Sequence, residues 1–173
     1  MLKLTVTLAL GACGFLTGCA PMLSLHPPVP EDGGAQVDLS YTGLWKDCTG
    51  DDILKVEGNG DRGYKYQEFT KDGGSGQVRL VELEGTRFAD IVPEGGVLSV
   101  HILARVRLEG DTLYVSTLAE GPTSKALPHE TVGAGMGEQV ILTASTADLR
   151  KFLLLVRNQP EFFEEETALC RVK

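Results

Sequence analysis

The side chains able to do chemistry are few and dispersed. The histidines, His26, His101 and His129, are too widely spaced to pair at i, i+4 around zinc. No Gly-x-Ser-x-Gly elbow, phosphate loop or dinucleotide fingerprint occurs. Gly133-Ala134-Gly135-Met136-Gly137 is glycine-rich but precedes a strand pattern, so it cannot cradle phosphate at a helix start. Asp51-Asp52 and Glu164-Glu165-Glu166 lack the alternating oxygen ligands of a calcium loop and read as solvated acidic turns. His101, Arg105 and Arg107 share one face of an alternating segment. They could line a pocket, but a solvated strand face is the expectation. The reading is therefore of a non-enzyme, with no catalytic residue, metal or cofactor.

The remaining reactive groups are cysteines, at 13, 19, 48 and 170. Residues 1–18 carry one charge, Lys3, then an apolar run from Leu4 to Leu16, too short and glycine-rich to span a bilayer well. That pattern fits a secretory signal. It ends in Leu16-Thr17-Gly18-Cys19, which resembles a bacterial lipobox. The resemblance implies cleavage before Cys19, lipid on that cysteine, and a bacterial envelope location. Ala20 follows where an Asp would retain the protein, so the outer membrane is implied for a cell with two membranes. Two or more acyl chains anchor stably where one does not. Cys13 leaves with the signal. In an exported chain Cys48 and Cys170 are then expected to pair. Such a bridge needs the two ends of the folded domain to meet, and would stabilise it by roughly 4–5 kcal/mol. Two buried free thiols are the other reading.

The elements that must bring those ends together are strands. With 173 residues, 42% of them hydrophobic, the chain suits one globular domain. Its net charge of −8 argues against nucleic acid and against broad adhesion to anionic lipid. Residues 19–38 hold the lipidated cysteine and a proline- and glycine-rich stretch, read as a flexible linker. The domain is expected over 39–173. Strand patterns fall near 41–47, 53–57, 63–70, 76–84, 86–92, 97–108, 111–118 and 138–143, with a short one near 167–172. Turns such as Gly58-Asn59-Gly60-Asp61 and Glu109-Gly110-Asp111 separate them. In 97–108, Leu98, Val100, Ile102, Ala104, Val106 and Leu108 are expected to face the core, with His101 and the arginines outward. Ser145-Thr146-Ala147-Asp148 is a capping box, and Leu149, Phe152, Leu153 and Val156 form an apolar helical stripe over 146–157. Leu154 and Leu155 widen it. The stretch 119–137 is long for a connection, so it is the first candidate for a gate or a partner contact.

Gly43-Leu44-Trp45 resembles the Gly-x-Trp on the first strand of lipocalins, a family of eight-stranded meander barrels with a late helix and a short final strand. The resemblance implies a mainly β, up-and-down antiparallel barrel with one C-terminal helix. It also implies that Arg171 packs on Trp45 at the barrel end. No second lipocalin motif is present. The expected function is binding of a small apolar or amphipathic ligand in a membrane-anchored cup. The alternative is a non-enzymatic envelope module with a filled interior and a protein partner. An apolar cavity of about 300 Å³ or more would favour the cup, and continuous bulky inward residues the module.

Overall fold

The computed structural model describes residues 21–30, 37–60, 63–70, 73–96, 98–134 and 137–173. Cys19 and the whole signal segment lie outside the described residues, as do residues 20 and 31–36 of the linker. The chain forms a closed, eight-stranded antiparallel barrel with additions on one side. Its strands are β2 (Gly43–Asp47), β3 (Ile53–Gly58), β4 (Tyr64–Phe69), β5 (Ser75–Leu83), β6 (Thr86–Pro93), β7 (His101–Glu109), β8 (Thr112–Thr117) and β11 (Thr167–Arg171). Each pairs with the next, and β11 closes the ring by pairing with both β8 and β2. The additions are β1 (Leu23–Ser24), β9 (His129–Ala134), β10 (Gly137–Leu142) and the helices α1 (Glu120–Ala126) and α2 (Thr146–Val156).

The up-and-down barrel is as expected from the sequence, but its eighth stave is not the strand near 138–143. That strand, β10, pairs with β9 and β1 outside the ring, and the short C-terminal strand takes its place. The linker expectation also changes. Met22, Leu23 and Ser24 are buried, and β1 lies between β7 and β10. Apolar Met22 and Leu23 fit a slot along β7 where β8 has already turned away, and burial outweighs the neighbouring prolines. The stretch 119–137, whose sequence allows a helical turn at Pro122 to Leu127, does form one as α1, but it then also supplies β9, a strand not expected from its sequence.

Two main apolar clusters result from period-two alternation, with a smaller third of Leu23, Val100, Ile102 and Ile141 where β1 joins β7 and β10. Inside the barrel, Tyr41, Trp45, Val56, Tyr64, Ala104, Val106 and Leu169 pack together. Outside it, α2 lays Leu149, Phe152, Leu153 and Val156 on Leu83, Phe88, Leu103 and Phe163. The capping box forms, with Ser145 Oγ accepting from the Asp148 amide at 3.2 Å and donating to its carboxylate at 2.7 Å. Leu155, expected to widen the seated face, points to solvent. Leu98 is also exposed, because β7 begins only at His101.

Candidate functional site

The barrel has one plugged end and one wetter end, and local sequence determines which is which. At the plugged end a 3₁₀ turn over Leu39–Tyr41 leads into β2. Trp45 is fully buried and its indole N–H donates to the Tyr41 carbonyl at 3.0 Å. The Arg171 guanidinium lies 4.2 Å from the Trp45 ring centroid and donates to the Thr42 carbonyl at 2.7 Å and to the Ser40 carbonyl. Gly43 is required here: its φ is +136°, and a Cβ would approach the Arg171 guanidinium to 2.8 Å. Tyr64 adds a further tie, its hydroxyl donating to the Asp38 carbonyl and accepting from the Asp38 amide. Burial pushes the Tyr64 phenol up. Cys48 and Cys170 are joined in a disulfide with Cα atoms 5.1 Å apart, fastening the first barrel strand's exit to the last strand.

Beyond the plug the interior is open. A cavity of about 120 Å³ is lined mainly by aliphatic side chains such as Leu54, Val78, Ile91 and Val115, with Tyr41 and Tyr64 toward the plug and Tyr66, Glu68, Thr117 and Thr167 as further polar members. Gly76 leaves room for the Tyr66 ring, since a Cβ there would come within 2.5 Å of that ring and closer still to the Val92 carbonyl oxygen. The volume falls short of the roughly 300 Å³ expected of a ligand cup, so that expectation is not met, but it is close to the ~150 Å³ of an apolar cavity that accepts benzene. Along β4 the inward side chains run Tyr64, Tyr66, Glu68, from the plug to the far end. Leu54, opposite Glu68 in register, points inward too. Glu68 is half-buried, so water reaches that end, and its carboxylate accepts from the Gly74 amide at 3.2 Å. Burial pushes its carboxyl up; the Gly74 hydrogen bond opposes that and the nearby Asp52 charge adds to it. Burial likewise pushes the Tyr66 phenol well above its usual range, helped by Glu68 and Glu94.

His101, Arg105 and Arg107 do not form a pocket together, and only Arg107 faces water as expected. His101 is buried on the barrel's outer surface, with Nδ1 2.6 Å from Asp90. Arg79 donates to the other oxygen of the fully buried Asp90 at 2.7 Å. Ser24 stands opposite His101 on β1, but its hydroxyl donates to the His26 carbonyl at 2.8 Å rather than to the imidazole. The arrangement is a structural Arg–Asp–His clasp between β5, β6 and β7. Arg105 stacks 4.4 Å above Phe163 and donates to the carbonyl of Arg157 at the end of α2, which docks the helix. Phe162 meets Phe152 edge-on, so the Phe162-Phe163 pair fastens α2 to the barrel. Arg107 pairs with Glu109 and Glu166. A polar groove of about 610 Å³ runs beside these residues, and Arg87, Arg107 and Arg157 there are each matched by a carboxylate.

Among the described residues no group of three or more His, Cys, Asp or Glu side chains is arranged to hold a metal, and no helix is long and apolar enough to cross a membrane. His26 and His129 are exposed. Glu68 was missed from sequence, although the Tyr-x-Tyr-x-Glu alternation of β4 carries the signal for it. A scan of family models found no match to the chain, and searches of curated proteins and of solved structures found none either.

Proposed function

We propose that this protein is a lipocalin-like binding cup for a small apolar or amphipathic molecule, anchored in a bacterial envelope by lipid on Cys19. One observation carries the cup: an apolar cavity inside a closed barrel, plugged at the Trp45–Arg171 end and lined by polar groups at the other. Its volume limits the ligand, or the ligand's inserted part, to about the size of a benzene ring or a short alkyl chain. The anchor rests on the lipobox resemblance at Leu16–Cys19. Leu23 is seated only four residues beyond Cys19, so the intervening chain reaches at most about 14 Å. A lipid there would hold the β1 side of the barrel near the bilayer surface rather than far from it.

The alternative, a filled module with a protein partner, is favoured by the plugged half, where Tyr41, Trp45 and Tyr64 occupy the interior. Intact-mass measurement of the protein, extracted gently from a bacterial envelope, separates the readings. Under denaturing conditions a mass starting at Cys19 with acyl groups attached supports the anchor. Under native conditions an added small mass that denaturation removes supports the cup. A bare native mass, unchanged after incubation with small amphiphiles, favours the module.

A further inference from the structure

The charge around the cavity narrows the ligand class. Glu68 is the one ionisable side chain with a usual charge at neutral pH among the cavity-lining residues. It stands at the last inward position of β4, where the apolar wall ends. Asp52 lies close enough to disfavour its ionisation, and Glu94, held by the Ser75 hydroxyl at 2.9 Å, faces the same end near Tyr66. Among the described residues no Lys or Arg pairs with Glu68 or Glu94, while Lys46 is engaged by Asp51 at 3.0 Å. One oxygen of Glu68 accepts from Gly74, which leaves acceptor capacity on the carboxylate.

An occupant therefore meets apolar walls along its body and negative charge at its head. A fatty-acid carboxylate would bring like charge to a half-buried carboxylate, which costs free energy. An alcohol would donate a hydrogen bond to the carboxylate but leave its charge uncompensated. An ammonium group gains a charge-assisted one, stronger in this partly desolvated setting. The overall charge of −8 attracts cations and repels anions in the same sense.

We propose that the barrel cavity binds a small primary amine of apolar body, its ammonium group held by Glu68. The proposal rests on the cup reading and deepens it. The test is calorimetric titration of the purified protein at neutral pH with three probes of matched length: hexylamine, 1-hexanol and hexanoate. Hexylamine is expected to bind about tenfold or more tighter than hexanol, and hexanoate weakest. Glu68→Gln, close in size, is expected to bring hexylamine down to the level of hexanol while leaving hexanol unchanged. Hexanol binding as tightly as hexylamine, or a preference that survives Glu68→Gln, overturns the amine assignment and leaves the cup standing. Binding of none of the three overturns both. Val115→Phe, which fills the cavity wall, is expected to abolish binding of every probe; amine binding that persists in it places the amine elsewhere and overturns the assignment.

Discussion

Asp90 illustrates how much a single buried side chain can organise. It is fully buried, and its two oxygens are shared between Arg79 and His101 on flanking strands. Removing one member of such a cluster strands the others without a partner, at about 3–5 kcal/mol. Asp90→Ala is accordingly expected to lower unfolding free energy by at least about 3 kcal/mol in urea titrations, and a loss below about 1 kcal/mol would mean that the clasp contributes little. Tyr66 gives a second residue-scale expectation. Its buried phenol is raised above the unfolded value near 10. The stability it contributes is present below that value and is lost as pH climbs through the folded value. The urea midpoint is expected to fall from about pH 10 upward, with tyrosinate absorbance rising together with unfolding, and Tyr66→Phe to blunt the fall. At this scale the sequence marks Trp45 and the cysteines, which are rare residue types in a telling order. It does not mark Asp90, and it marks His101 only as part of an alternating face and Glu68 only as the end of the Tyr-x-Tyr-x-Glu alternation, because the surroundings of all three come from strands brought together by register, which no local pattern encodes.

Among the elements, α2 is the most legible. A capping box, a stripe at helical spacing and Asn158 with Pro160 beyond its end all agree, and the helix runs Thr146–Val156. Leu153 is fully buried against the outer face of the barrel. Leu153→Ala is expected to cost about 2–5 kcal/mol by denaturant titration, whereas exposed Leu155→Ala should change stability by less than about 0.5 kcal/mol. A large cost for Leu155 and none for Leu153 would mean that the helix is rotated. By contrast β1 is only two residues long, flanked by prolines, and its partners lie far along the chain. Nothing in its own sequence separates it from a linker. The eighth stave was ambiguous for a related reason: 138–143 and 167–172 both alternate suitably, and only packing decides which enters the ring. His101 and Leu103 face outward from the barrel as alternation requires, but the outer face is covered by α2 and β1, so outward does not mean wet.

For the molecule as a whole, the barrel is closed by its ends. β2 and β11 pair as the last seam, and the Cys48–Cys170 bridge spans 122 residues across it. Serine at both cysteines is expected to lower unfolding free energy by about 4–5 kcal/mol on the loop-entropy estimate, measured in urea against the oxidised protein, and an unchanged midpoint would show that the reduced unfolded chain is already constrained. The seam also imposes an order in time. A ribosome adding about 5–20 residues per second needs roughly 6–24 s to travel from Cys48 to Cys170. Throughout that interval β2 lacks the neighbour that β11 later provides, and so does β8 from the moment it is made, so each strand has an edge with no partner. Almost the entire barrel wall therefore precedes in the chain the one strand that can shut it, and until that strand arrives any sheet already formed stands open at two edges.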